Sequence, residues 1–257
     1  NRIIQFSSAD EHRYHEALVH PAFLMHDSPK RVLILGGGEN LATREVLKHH
    51  NVESIQVIDI DTVIFYLAKS HPEIMKINEN AALDKRVSLI SRDAFNFLTE
   101  YNGPYDIILS DLPDPSNEST AKLYSKQFFY FVRHNLAEGG IFVSQSNEIY
   151  LSQNVFSCIV NTIADVFPHV YPYHVYVPSF GDWGFTMASL KPLNFEKIHS
   201  IKFPTKFLTD KSTAQLFDMP KDITINKTEI NTMDRPIIIN YFVSDWEKWK
   251  TDLATTN

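Results

Sequence analysis

Two carboxylates follow directly after an apolar stretch near the middle of the chain. Residues 105–109 read YDIIL, which is typical of a buried strand, and residues 111–115 read DLPDP, a proline-stiffened turn that carries Asp111 and Asp114. Open α/β folds hold their ligands beyond the carboxyl ends of the strands. Two acids in that position suit a cationic substrate, and they also suit removal of a proton from an amine.

A glycine turn lies earlier in the chain. Residues 36–40 read GGGEN and separate the apolar run 31–35 from a helical stretch that begins at Ala42. Glycines let the backbone approach a ligand closely, and the N-terminus of the following helix offers free amide groups. Such a cluster alone is weak evidence, because many glycine turns are only tight connections.

Acids at the ends of the next two strands add to this signal. Asp59 ends the second predicted strand about 20 residues after the glycine turn, where an acid commonly binds ribose hydroxyls. Asp93 follows the third strand and could accept a hydrogen bond from an adenine amino group. Each could instead cap the next helix, although Asp61 is better placed than Asp59 for that role. The combination predicts an adenosine site of the methyltransferase-like kind, and the absence of a Walker lysine disfavours a nucleoside triphosphate.

Glu39, within the glycine turn, indicates which adenosine compound would bind. S-adenosylmethionine ends in a carboxylate and an ammonium, and Glu39 would repel the first and attract the second. A donor without that carboxylate is therefore favoured, since juxtaposed like charges are an effective means of exclusion.

The elements that must position these residues alternate as βαβ units do, with short β-branched runs between helical stretches. The predicted fold class is α/β: a Rossmann-like, methyltransferase-type doubly wound sheet, mostly parallel with antiparallel closing strands. The predicted strands are residues 31–35, 54–59, 86–91, 105–111 and 139–146, followed by the closing pair 169–177 and 184–190.

Composition limits the possible partners. The 257 residues are 44% hydrophobic and 21% charged, as in an ordinary globular protein. The net charge of −7 disfavours nucleic acid and would mildly attract polycations, although it also fits simple solubility. The single cysteine, Cys158, excludes an internal disulfide and a multi-cysteine metal site, which fits a reducing compartment.

These motifs resemble those of the polyamine aminopropyltransferases, the spermidine and spermine synthases, and especially a bacterial branch often preceded by membrane-spanning segments. The similarity extends over nearly the whole chain. The matching segments are residues 5–21 (QFSSADEHRYHEALVHP), 31–47 (RVLILGGGENLATREVL), 59–63 (DIDTV), 93–95 (DAF), 111–115 (DLPDP), 122–129 (KLYSKQFF), 139–146 (GGIFVSQS) and 177–185 (VPSFGDWGF).

The resemblance implies transfer of an aminopropyl group from decarboxylated S-adenosylmethionine to a diamine, with putrescine to spermidine as the expected reaction. No prosthetic group and no metal ion are expected. An alkylammonium has a pKa of roughly 10, so the attacking nitrogen must lose a proton first. Asp111 would act as the base, with Tyr14 orienting it by a hydrogen bond.

The family pattern also assigns the binding residues. Asp59 would bind the ribose, Asp93 the adenine, and Glu39 with Asp111 the ammonium of the donor. Without the resemblance, Tyr14 and His15 would be interpreted as part of a surface strand or helix. The remaining residues expected at the donor or the acceptor are Gly36, Gly37, Gly38 and Ala94 for the donor, and Gln5, His15, Asp114, Phe180 and Trp183 for the acceptor.

This sequence departs from the family pattern in three places. The family usually has Asp-Gly where this chain has Glu39-Asn40, so the acid is one methylene longer and an Asn, which tolerates the left-handed region, replaces a glycine. This change bears on donor affinity and geometry. Phe180 replaces a tyrosine of the better-known soluble synthases, as in the closer branch. The N-terminal β-hairpins that cap the acceptor site are largely absent, and residues 2–6 (RIIQF) suggest a strand without a partner in a fragment of a longer protein.

The expected organisation has three parts. Residues 1–20 would be a remnant of the N-terminal strand region, residues 21–192 a Rossmann-like catalytic domain, and residues 193–257 a C-terminal helical extension. We expect a homodimer with a cytoplasmic catalytic domain, no nucleic-acid partner, and membrane attachment in a longer form of the protein.

Two other functions stay open at this stage. One is an S-adenosylmethionine-dependent amine methyltransferase, which would share the fold. The other is a catalytically weak module that binds nucleosides or polyamines, which Glu39-Asn40 and the shortened front of the chain would allow.

Overall fold

A seven-stranded sheet forms the centre of the protein. The computed structural model describes residues 6–197 and 199–255. The strands are β1 (Arg31–Gly36), β2 (Ser54–Asp59), β3 (Val87–Ser91), β4 (Tyr105–Asp111), β5 (Leu136–Glu148), β6 (His169–Val177) and β7 (Gly181–Ser189). Their order across the sheet is β3-β2-β1-β4-β5-β7-β6. Strands β1 to β5 pair in parallel, and β7 pairs antiparallel with both β5 and β6, which confirms the predicted fold class.

Helices cover both faces of this sheet. The helices are α1 (Glu11–Leu24), α2 (Leu41–Leu47), α3 (Thr62–Ser70), α4 (Pro72–Ile77), α5 (Ala94–Thr99), α6 (Glu118–Ala121), α7 (Lys126–Asn135), α8 (Gln153–Ala164), α9 (Asp210–Gln215) and α10 (Ile238–Thr255). Short 3-10 helices occur at Ala81–Leu83, Lys122–Tyr124 and Phe195–Lys197. Within the described ranges, every helix is too short or too polar to traverse a lipid bilayer.

Two hydrophobic layers hold the sheet between the helices. Successive side chains of a strand point to opposite faces. In β1, Leu33 and Leu35 accordingly belong to one buried cluster, and Val32 and Ile34 belong to the other. The run RVLIL is apolar at consecutive positions because a parallel strand in such a fold is buried on both faces.

The expectation of a strand region in residues 1–20 is wrong for residues 11–20. These residues begin helix α1, which continues across the expected domain boundary to Leu24. The helix packs against the sheet with Ala17, Leu18 and Ala22 fully buried, so tertiary burial decides its conformation. Phe6 is not in a strand, and residues 2–5 of the expected strand lie outside the described residues.

The C-terminal part is helical in α9, α10 and the short 3-10 helix Phe195–Lys197, and it is otherwise irregular within the described residues. It packs on α1 through Glu16, a fully buried residue whose carboxylate accepts hydrogen bonds from the backbone N–H groups of Lys206, Phe207 and Leu208 at 2.6 to 3.0 Å. Three donors converging on one carboxylate make a strong charge-assisted contact. This contact fixes the C-terminal segment to the helix that carries Tyr14.

We expect Glu16→Gln to lower the free energy of unfolding by about 1 to 3 kcal/mol, because a neutral amide accepts these bonds more weakly than a carboxylate. Urea denaturation measures the change. Glu73→Gln, on the exposed side of α4, is the control and should change stability by less than about 0.5 kcal/mol. Equal stabilities of the two variants would contradict the structural role of Glu16.

Candidate active site

The glycine turn lies directly against the end of β4. Gly36 pairs with Asp111 in the parallel register of β1 and β4. Gly36 and Gly37 have φ angles of +82° and +64°, which glycine adopts readily. A Cβ on Gly36 would lie 2.0 Å from the carbonyl oxygen of Asp111. Only glycine therefore permits this approach, which places the turn beside the first acid of DLPDP.

Asn40 completes the turn in a left-handed conformation, with φ at +69°. Asn tolerates this region better than most residues, so it can replace the usual glycine there. Its side-chain Nδ2 donates to the carbonyl oxygen of Gly38 at 2.7 Å. The Glu39-Asn40 departure thus keeps a closed turn, and Glu39 reaches toward the site with its side chain about six-sevenths buried, at 15% exposure.

Asp59 faces the same turn from the end of β2. Its carboxylate accepts hydrogen bonds from the N–H groups of Gly38 at 3.1 Å and Asp61 at 2.9 Å. Burial raises the pKa of Asp59, although the two backbone hydrogen bonds favour the ionised form. Asp61 caps α3 by accepting from Val63 N–H at 2.8 Å, which confirms that Asp61 is the capping residue. Asp59 therefore does not cap α3, and its carboxylate lies against the glycine turn.

Asp93, by contrast, is engaged on both oxygens. One oxygen accepts from Asn96 N–H at 2.9 Å and caps α5, and the other pairs with Lys122 Nζ at 2.8 Å. Burial acts against ionisation, but these contacts outweigh it and lower the pKa of Asp93. The helix-cap interpretation is therefore realised, and Lys122 is an additional neighbour. Binding of adenine by Asp93 and by Ala94, the first residue of α5, stays a prediction.

Tyr14 and Asp111 form the shortest contact between the N-terminal helix and β4. The Tyr14 hydroxyl donates to Asp111 Oδ1 at 2.6 Å. Burial raises the pKa of Asp111 to about 6, and the charge of Glu39 adds to this shift. Burial together with Asp111 also raises the pKa of Tyr14 well above its usual value, so the phenol keeps its proton and can donate. An acid of this kind is poised to exchange a proton near neutral pH.

His15 lies between the acids. It is buried, its Nδ1 lies 2.9 Å from Glu11 Oε2, and its Nε2 lies 3.7 Å from Glu39 Oε1 and 4.0 Å from Asp111 Oδ2. Burial lowers the pKa of His15, but the hydrogen bond to Glu11 and the charges of Glu39 and Asp111 outweigh burial and raise it to about 10. An acceptor-groove role for His15 was expected, and the structure places it against the acid pair.

The side chains of His15, Glu39 and Asp111 have possible ligand atoms within 4.8 Å of one another, a spacing that could hold a metal ion. A metal would have to displace the proton that the neighbouring carboxylates hold on His15. The arrangement suits an organic ammonium better, because an ammonium can bind to Glu39 and Asp111 while His15 stays protonated.

Two residues that were not selected from the sequence form hydrogen bonds with the backbone of the DLPDP turn. The Tyr124 hydroxyl donates to the carbonyl oxygens of Leu112 and Pro113 at 3.1 Å each, and Gln145 Nε2 donates to the oxygen of Leu112 at 2.7 Å. The pKa of the second acid, Asp114, is raised to about 6 by burial, although the amide of Gln145 favours its ionised form.

An aromatic wall borders the acids. Trp183 lies with its ring centroid 5.5 Å from Phe180 and 6.3 Å from Tyr14, in edge-on geometry. The connection between β6 and β7 is fixed to the start of α1, because Asp10 accepts from Ser179 N–H at 2.7 Å and from its hydroxyl at 2.9 Å. Phe180 and Trp183 therefore lie on the same side of the site as Tyr14, and their binding of the acceptor stays a prediction. Gln5 lies outside the described residues.

Comparison with known proteins gives the family of this chain. The model of the spermine/spermidine synthase domain matches residues 11–198. The chain belongs to this family. Polyamine aminopropyltransferases of Leptospira interrogans and Oceanobacillus iheyensis are each 41% identical to this chain over 250 residues. Those alignments include 96% of this chain and 49% of each relative, so the chain spans about half the length of the curated relatives it matches.

Solved structures of spermidine synthases share the architecture. One, in complex with the transition state analogue AdoDATO, superposes with a TM-score of 0.76, and the Thermotoga maritima enzyme superposes with 0.75. Both are 26% identical to this chain, and each alignment covers 82% of this chain and 73% of the other.

A buried ion pair of this chain was not predicted from the sequence. Arg44, in α2, contacts both carboxylate oxygens of Glu11 at 2.9 Å. The spacing of four residues between Glu11 and His15 signals a contact on one helix face, but only once residues 11–24 are known to be helical. Arg44 lies in a different element, and no local pattern pairs it with Glu11.

We expect Gly36→Ala to abolish or strongly destabilise the folded protein, because the added methyl group would collide with the Asp111 carbonyl at a positive φ angle. Circular dichroism melting reports the loss. Gly139→Ala is the matched control, since a Cβ there meets nothing within 4 Å. A normal melt for Gly36→Ala would show that β1 and β4 need not approach as closely as described.

Proposed function

We propose that this chain is the catalytic part of a polyamine aminopropyltransferase that uses decarboxylated S-adenosylmethionine as donor and a diamine, with putrescine as the first choice, as acceptor. The observation that carries the proposal is the contact of Tyr14 with Asp111 at 2.6 Å beside Glu39 and the glycine turn. The names of the curated relatives and the AdoDATO complex of a solved spermidine synthase support it.

The donor fits the glycine-turn side of the site. Asp59 holds the ribose hydroxyls, and Asp93 with Ala94 contributes to adenine binding. Lys122 already pairs with Asp93, so the adenine amino group must share or displace that contact. Glu39 and Asp111 attract the aminopropyl ammonium, and their negative charge disfavours the additional carboxylate of intact S-adenosylmethionine.

The acceptor fits between the acids and the aromatic wall. One nitrogen lies near Asp111, and the distal ammonium is held by Asp114 and by the faces of Phe180 and Trp183. Asp111 takes a proton from the attacking amine while Tyr14 holds the carboxylate in place. The nitrogen lone pair then forms a C–N bond at the methylene next to sulfur, and the C–S bond breaks with its electron pair left on a neutral thioether. Alignment of nitrogen, carbon and sulfur supplies much of the rate.

Glu39 is expected to select the donor. Calorimetry should show tighter binding of the decarboxylated compound than of intact S-adenosylmethionine. Glu39→Gln should weaken donor binding by about 1 to 3 kcal/mol, the usual contribution of a charged hydrogen bond, whereas Glu39→Asp should retain binding. Tighter binding of intact S-adenosylmethionine would favour the amine methyltransferase instead.

Asp111 and Asp114 are expected to differ in kinetics. Asp111→Asn should lower kcat by about 100- to 10,000-fold, the usual effect of removing a general base. Asp114→Asn should raise the acceptor KM more than it lowers kcat, as lost uniform binding does. Steady-state assays of product mass, with the full-length protein and a panel of diamines, measure both.

The pH profile follows from the same acid. Because the pKa of Asp111 is raised to about 6, its carboxylate is available above that pH and is lost as the pH falls through it. The rate should therefore fall below about pH 6, and Asp114→Asn should retain this limb. Turnover close to wild type in Asp111→Asn would exclude the proposed base.

A further inference from the structure

His15 is surrounded by hydrogen-bond acceptors on both sides of its ring. Nδ1 lies 2.8 Å from the backbone oxygen of Glu11 and 2.9 Å from its carboxylate, and Nε2 lies nearest to the carboxylates of Glu39 and Asp111. A neutral imidazole carries one N–H and would turn a lone pair toward an anion on one side. Only the imidazolium has a donor for each side.

Glu11 cannot easily withdraw from this contact. Arg44 contacts both of its oxygens at 2.9 Å, and the guanidinium is held in turn by Glu45 at 2.8 Å through Nε. All three side chains are at most 3% exposed. A bidentate pair of this kind fixes the position of the carboxylate as well as its charge. Glu11 therefore stays ionised and holds the His15 ring in one orientation.

We propose that His15 is a positioning residue, a built-in cation whose charge keeps Asp111 ionised beside Glu39 before any substrate is bound. The inference rests on the proposed function in so far as Asp111 is the base. It changes the role of His15 from an acceptor ligand to a residue that acts through Asp111.

Several charged or titratable groups face this cation. Glu11 approaches from the preceding turn of α1, Glu39 from the glycine turn and Asp111 from β4, and Tyr14 shares Asp111 from the other side. Asp59 adds a more distant negative charge that acts on Asp111. Without His15, two acids would share a buried site with no cation between them, and Asp111 would bind a proton more readily.

The first test is the acid limb of kcat/KM for aminopropyl transfer. An opposite charge within a few ångströms changes the pKa of an aspartate by about 1 to 3 units, so His15→Gln should move the limb to higher pH by about that amount. The loss of activity should be large at pH 6 and should shrink toward pH 9. His15→Lys, which restores a cation, should move the limb back toward the wild-type position.

Glu45→Gln is the control for damage to the buried network. Glu45 contacts Arg44 and His20 but not His15, so this variant should be less stable and yet keep the acid limb of the wild type. An acceptor-binding role for His15 predicts a different result, namely a diamine KM that rises equally at all pH values. That result, or an unshifted limb in His15→Gln, would overturn the proposal.

A second test does not need catalysis, and its decisive measurement uses the wild-type protein. Nitrogen-15 NMR of the wild-type protein without substrates should show both His15 nitrogens protonated at pH 8.5, about 2 units above the usual histidine pKa. In Glu11→Gln the same resonance should titrate at lower pH, because one neighbouring charge is removed. A neutral His15 at pH 7 in the wild type would overturn the inference, whatever reaction the protein catalyses.

Discussion

The candidate site depends on how closely β1 and β4 approach each other at their carboxyl ends. The backbone of Gly36 lies so near the Asp111 carbonyl that no side chain fits between them. This contact places the glycine turn, where the proposed donor binds, next to the acid proposed to activate the acceptor. Because both strands lie at the centre of the sheet, hydrogen bonds to β2 and β5 on either side hold the two halves of the site in register.

Buried charge is the second constraint. Asp111, Glu39 and Asp59 converge in a small volume, and burial of like charges favours protonation. The structure offsets this with His15, with the Tyr14 hydroxyl that donates to Asp111, and with the N–H groups of Gly38 and Asp61 that donate to Asp59. The result is an acid whose pKa lies near 6 rather than one that is permanently neutral or permanently charged.

Helix α1 connects the candidate site to the C-terminal segment. It carries Tyr14 and His15. Its Glu11 forms an ion pair with Arg44 of α2, and its Glu16 accepts hydrogen bonds from the C-terminal segment. The expectation of a strand region was wrong for residues 11–20. The hydrophobic periodicity of these residues is weak, and their burial against distant elements decides their conformation. The strands at 31–36 and 105–111 were predictable because continuous apolar runs that end in a turn signal are local features.

The sequence by itself determined the order of the βαβ units, the glycine turn, the acids at the strand ends and the left-handed position of Asn40, because backbone preference and burial pattern are written in neighbouring residues. Only the tertiary structure decided which distant groups meet. Glu11 and Arg44 are 33 positions apart, and Asp93 pairs with Lys122 across 29. The pKa values of His15 and Asp111 likewise arise from burial and from charges that separate elements bring together, and no local pattern encodes that proximity.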